Sequence, residues 1–208
     1  KRKNCSNRLL EDKTFGKLKH IQLNWDFLSY DIKNKIASWK TNIAEGGGAL
    51  SFYFSHSLYY LEYYAGEITD IKSLLAYSKE SINGGDVGVD LLLKFKNDIK
   101  GYAHLRCDSS GLNRHQLIFH LEKGTIFLEN ENSILKNFII KIYTDTKIDQ
   151  LYTPKDKPRL RNEDERVFFV KRLAARFVNS CIQGRSMIPS FKDGVRVQEL
   201  IKKIRLNS

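Results

Sequence analysis

The sequence predicts an α+β domain: a large, mainly antiparallel sheet with its helices gathered on one face. Three observations carry that expectation. Strand-length segments with alternating apolar residues follow one another over residues 68–143. The links between them are short and built of turn residues, as at Asn97-Asp98, Ser109-Ser110-Gly111 and Lys123-Gly124, and short links join antiparallel neighbours. Helical signals are confined to one segment before this run, read from its length and lack of interior Gly or Pro, and two amphipathic ones after it.

Residues 17–28 (KLKHIQLNWDFL) set Lys19, Ile21, Leu23, Trp25 and Phe27 against Leu18, His20, Gln22 and Asn24, a strand with one buried face. A polar loop through Asn34 and Trp39 leads to Gly46, Gly47 and Gly48. Residues 49–64 hold no interior Gly or Pro and form a helix closed by Gly66. Strands are expected at 68–79, at 87–96 with Val89, Leu91, Leu93 and Phe95 on one face, and at 101–108. Further strands at 115–122, with Leu117, Phe119 and Leu121 in register, at 125–129 and at 138–143 close a meander with no βαβ repeat. Pro154 and Pro158 mark a charged loop. Residues 163–182 then repeat Val170, Leu173, Ala174, Phe177, Val178 and Cys181 as an amphipathic helix, with Asn162 and Glu165 as its capping pair. After a break at 184–189, the helix over 194–206 carries Val197, Leu200, Ile201 and Ile204. The sheet face away from the helices presents Lys94, Tyr102, His104 and Arg106, mixed in polarity and open to pairing with a second copy.

At 208 residues with 41% hydrophobic and 12% aromatic content, the chain can bury a full core, and we read residues 1–208 as a single domain. No apolar run approaches the roughly 18 residues of a membrane span. The opening KRKNCSNRLLEDK is basic but lacks an apolar core, so no secretion signal is read there. Cys5, Cys107 and Cys181 are widely spaced, odd in number and without CxxC pairing, which favours free thiols in a reducing cytoplasm. A formal charge of +11 invites a nucleic-acid reading. Yet Lys and Arg are interleaved with acids, as in Lys155-Asp156-Lys157, and no nucleic-acid motif is present, so we read a solvated lysine-rich surface.

Chemistry concentrates in residues 45–66, EGGGALSFYFSHSLYYLEYYAG. The glycines accept backbone angles closed to other residues and let a group approach the main chain. The helix after them points free N–H groups and a positive dipole end at the same spot. His56 lies at the centre of that helix, and histidine suits proton transfer near neutrality. The bland counterparts are a flexible glycine linker, a structural histidine, and a core Trp39 beside a surface Lys40. Tyr59, Tyr60, Tyr63 and Tyr64 span more than one helix face, mostly core and rim. His20, His104, His115 and His120 are too scattered to read as a metal site.

Trp39-Lys40, the triplet Gly46-Gly47-Gly48 with Ala49 and Leu50, and His56 together resemble the opening of the C-terminal domain of the Gfo/Idh/MocA oxidoreductase family. In that family a Trp-Arg pair precedes GGGAL-x-D-x-G-x-H. Gly16 ahead of the first strand, the loop Ile188 to Gly194 and the final Ser208 extend the likeness along the chain. The Asp position is Phe52 and the later Gly position is Phe54. The resemblance implies a dihydrodipicolinate-reductase-like sheet that pairs in homodimers or tetramers. It also implies a carbohydrate-type substrate and NAD or NADP bound by an N-terminal Rossmann domain, whose GxGxxG and Glu-Lys-Pro motifs are absent from this sequence. The expectation is therefore the C-terminal half of a longer enzyme, inactive alone. The resemblance makes His56 catalytic and puts Trp39, Lys40, Gly47, Gly48, Phe52 and Tyr53 at the substrate. With Phe52 in place of Asp, His56 loses a carboxylate partner and is expected to be buried among Phe52, Tyr53, Tyr59 and Tyr60. The alternative is a binding or assembly module with an abandoned site.

Overall fold

The computed structural model describes residues 13–78, 83–131, 138–152, 164 and 166–208. The end of the 68–79 segment, the Pro154–Pro158 loop, the Asn162–Glu165 pair, the start of the helix at 163 and Cys5 lie outside those residues. Eight strands form one sheet: β1 (Leu18–Asp26), β2 (Ile68–Tyr77), β3 (Asp86–Phe95), β4 (Lys100–Arg106), β5 (Arg114–Leu121), β6 (Gly124–Glu131), β7 (Ile139–Tyr143) and β8 (Ile148–Tyr152). Their spatial order is β2-β3-β4-β1-β5-β6-β7-β8. Every pair is antiparallel except β1 with β4.

Two features depart from a plain meander. β1 inserts between β4 and β5, which are neighbours in sequence, and runs parallel to β4. Strand β8 was not expected, because Ile148 and Leu151 at this edge are both exposed and leave no buried face to reveal it. A turn in which Thr144 N–H donates to the Lys147 carbonyl at 3.0 Å folds β8 back on β7.

The alternation read in β1 holds: Ile21, Leu23, Trp25 and Phe27 enter the core. A register shift between Leu18 and His20 leaves Lys19 outside. On the core side lie two helices, α2 (Ser55–Ala65) and the long C-terminal helix α4 (Phe191–Leu206); a single turn, α1 (Tyr30–Lys33), follows β1. Leu58 and Leu61 of α2, and Leu200, Ile201 and Ile204 of α4, are buried on the sheet. Glu62 ties the layer together by accepting from Arg196 at 2.9 Å and from the Ile68 N–H at 2.8 Å. Helix α4 starts earlier than its apolar pattern suggested, because Ser190 and Asp193 form a capping box ahead of it. The remaining helix, α3 (Val167–Ile182), is amphipathic as read, but none of its residues is buried.

The opposite face carries an interlocked polar network. Asp26, buried, takes the Arg114 guanidinium at 2.6 Å and stands 3.2 Å from His104 Nε2. His104 Nδ1 lies 2.7 Å from Asp90, whose same oxygen accepts the Tyr102 hydroxyl at 2.8 Å. Leu74 and Leu92 are exposed beside it.

Because Leu200 is only 2% exposed, Leu200→Ala leaves a cavity under the sheet. Urea unfolding is expected to show a loss of about 3 kcal/mol.

Candidate functional site

The glycine turn is built tightly from within. Gly47 N–H donates to the Asn42 carbonyl and Gly48 N–H to the Lys40 carbonyl, each at 2.8 Å. A Cβ at Gly47 would strike the backbone carbonyls of Trp39, Lys40 and Asn42. Gly48 has φ +107°, and a Cβ there would fall on the Asp86 carboxylate. That carboxylate, buried at the start of β3, accepts the Leu50 N–H at 2.7 Å. The approach that the glycines allow is thus made by the chain's own atoms. From the last helix, Arg205 donates to the Gly47 carbonyl at 3.1 Å and to Ser51 Oγ at 2.8 Å. Burial pushes the Asp86 carboxyl up, although the Leu50 N–H and Arg205 favour its charge.

Beyond the turn the chain makes a π-helical turn (Leu50–Phe54) and continues as α2. Trp39, Lys40, Phe52 and Tyr53 are brought together there. The Phe52 ring meets Trp39 edge-on at 5.4 Å and Tyr53 at 4.7 Å, with Lys40 Nζ 5.0 Å from its centre. Lys40 also lies 3.9 Å from Asp31, a buried carboxylate that accepts the Ser38 hydroxyl. Tyr53 packs edge-on against Phe27, and burial pushes its hydroxyl up to about 12.

His56 differs from the sequence expectation: it is exposed, one helical turn past Phe52. Its helix turns Tyr59 and Tyr63 to the same side, while Tyr60 points inward. The Tyr60 hydroxyl sits 2.9 Å from Ser57 Oγ and 3.0 Å from His115 Nε2, and the His115 ring stacks on Trp25 at 4.4 Å. Behind Tyr53 lies a cavity of about 20 Å³ lined by Ser29, Asp31, Thr41, Asp86 and Cys107. It has room for one water and none for a sugar. Cys107 is buried and Cys181 exposed, both as free thiols.

Sequence reasoning passed over Asp86, Arg205 and Asp31, and weighed His115 only as a metal ligand. Asp86 is separated from Leu50 by 36 residues and Arg205 from Ser51 by 154, so no local spacing announces either partner. Gly84-Gly85 ahead of Asp86 was the one available signal, since Gly85 N–H donates to the Thr41 carbonyl beside the turn.

The family description "GFO/IDH/MocA C-terminal domain" matches residues 6–127, more than half of the chain. The chain belongs to this family. A curated relative, an uncharacterized oxidoreductase of Synechocystis sp., is 26% identical over 93% of this GFO/IDH/MocA chain and 56% of its own length. Among solved structures, levoglucosan dehydrogenase in complex with NADH and L-sorbose superposes with a TM-score of 0.79 at 18% identity, over 96% of this chain and 59% of its own. A 3-ketoreductase from Actinomadura kijaniata with NADP and TDP-benzene gives 0.75 at 14%, over 97% and 57%. Aldose-aldose oxidoreductase from Caulobacter crescentus, complexed with glycerol, gives 0.74 at 17%, over 96% and 56%. These likenesses establish the shared fold. The chain spans a little over half the length of the relatives it matches. No helix of the described residues is long and apolar enough to cross a membrane.

Gly48→Ala puts a methyl group on the Asp86 carboxylate at a backbone angle that L residues avoid. Thermal melts are expected to show a loss of about 3 kcal/mol or an insoluble chain. Burial lowers the His115 ring from 6.5 to about 4. Between those values the unfolded chain binds a proton that the folded chain refuses, so stability falls as pH drops through this window and is level above it. The loss is about 3 kcal/mol at most. Melts between pH 7 and pH 4 are expected to slope less in His115→Gln, while His20, lowered mainly by burial, keeps a residual slope of the same sign.

Proposed function

We propose that this domain is the substrate-binding and oligomerisation half of an NAD(P)-dependent oxidoreductase acting on a sugar, cyclitol or sugar nucleotide. The observation that carries the reading is the exposure of His56 one turn from the Trp39–Phe52–Tyr53 aromatic group, on the helix that leaves the glycine turn. In this reading His56 exchanges a proton with a substrate hydroxyl. Trp39 and Phe52 take the apolar face of the ring, Lys40 closes one side, and Gly47 and Gly48 fix the turn beneath. Tyr53 lies deeper, and its raised pKa keeps it a hydrogen-bond donor.

The turn of this chain does not fit a dinucleotide pyrophosphate, because the helix N-terminus already holds the Asp86 carboxylate, which repels phosphate. We therefore assign NAD or NADP to a part of a longer protein outside this domain. The isolated chain would then be inactive, would work in the cytoplasm, and would pair through the open sheet face as a homodimer or tetramer. One observation favours a second reading, a non-catalytic binding or assembly module. Phe52 stands where the family motif has Asp, and its ring is already packed by Trp39, Tyr53 and Lys40.

Nicotinamide-dependent turnover of the whole protein over a panel of sugars, cyclitols and sugar nucleotides decides between them. His56→Ala is expected to lower kcat by about 100-fold or more. Unchanged kcat removes His56 from the chemistry; no turnover with any member of the panel favours the module.

A further inference from the structure

Two of the histidines that the sequence scatters meet on the sheet. β1 and β5 pair antiparallel, and His20 stands directly opposite His120. Their neighbours Ile21 and Phe119 enter the core, so both imidazoles rise from the face away from the helices. Both are half-buried. The ring centres lie 5.5 Å apart with the planes crossing at 48°, neither stacked nor edge-on. Two imidazoles that share one ion through nitrogens about 2.1 Å from it hold their ring centres roughly 5 Å apart. A small side-chain rotation therefore brings both onto one ion while the strands stay in place. Thr125 of β6, paired with His120, puts its hydroxyl 3.4 Å from His120 Nδ1. With that nitrogen engaged, the lone pair for an ion falls on Nε2, the arrangement in which a neighbour fixes a ligand's tautomer. Neither nitrogen of His20 has a hydrogen-bond partner among the described residues.

We propose that His20 and His120 chelate a late first-row divalent cation across β1 and β5, Cu2+ more tightly than Ni2+ or Zn2+. Imidazole favours these ions over Mg2+ and Ca2+, which take oxygen ligands. Among the described residues no third His, Cys, Asp or Glu completes a group with the pair. Lys100 is the neighbour of His20 on β4, so no carboxylate offsets the ion from that side. The ion takes its remaining ligands from water, which makes this an open, exchangeable site of modest affinity and not a closed structural one. His104, on the same face, does not compete for the ion. Both of its nitrogens already face carboxylates, Asp90 at 2.7 Å and Asp26 at 3.2 Å.

Equilibrium dialysis of the protein, prepared without a histidine tag, against Ni2+ tests the site. One Ni2+ per chain is expected, and excess Mg2+ is expected not to displace it. His20→Gln and His120→Gln are each expected to weaken binding by at least about tenfold, and Thr125→Val by roughly tenfold with both imidazoles in place. His56→Gln, which removes the exposed histidine of the helix side, is expected to leave the affinity unchanged. Cu2+ on the unaltered protein is expected to show coupling to two nitrogens in electron paramagnetic resonance, a readout that needs no variant to fold. No bound Ni2+, undiminished affinity in either His→Gln variant, or coupling to a single nitrogen overturns the proposal. Unchanged affinity in Thr125→Val overturns the assignment of Nε2 as the ligating nitrogen of His120.

Discussion

A buried carboxylate and a missing side chain set the position of the helix that bears His56. Asp86 enters the space that a Cβ on Gly48 would fill and caps the Leu50 N–H, while Arg205 reaches the same turn from the end of the chain. Removing a carboxylate from water is unfavourable, and its burial raises the Asp86 pKa accordingly. The N–H donors and the dipole end of the helix offset part of that cost. Three stretches distant in sequence thereby converge on one turn. The separation of Phe52 and Trp39, and the outward aim of His56, follow from where that turn is held.

The two sides of the molecule answer their charges differently. On the open sheet face Asp26, Asp90, His104, Tyr102 and Arg114 satisfy one another, so this face can meet water or another sheet without isolating a charge. The helix side keeps aromatic and aliphatic groups uncovered around α2 and α3. A polar platform and an apolar flank on one body suit different partners.

Local patterning made most of the sheet legible. Val89, Leu91, Leu93 and Phe95, or Leu117, Phe119 and Leu121, each mark one buried face of a strand and can be read without knowing any partner. What could not be read depends on pairing across distance. The parallel placement of β1, the edge strand β8 and the cap on α2 each have their cause in another part of the chain. For the site, the residue types were legible and their setting was not. Trp39, Lys40, Phe52 and Tyr53, grouped from the sequence, lie together in the structure, but burial of His56 was inferred from helical neighbours of which only Tyr59 shares its side, and that side is exposed. Phe52 leans on Trp39, and Tyr60 turns to His115.

The central position of β1 bears on how the chain comes to be folded. This strand leaves the ribosome before the other seven of its sheet, yet its neighbours on either side are β4 and β5, and Asn24 is bonded to Gln116 across 92 residues. Hairpins such as β5–β6 can zip as they emerge, but β1 must wait with both edges unpaired until the middle of the sheet has been made. Long-range pairing of this kind slows folding and prolongs the exposure of strand edges. A nascent chain of this domain therefore carries a central strand of its sheet as its last open seam.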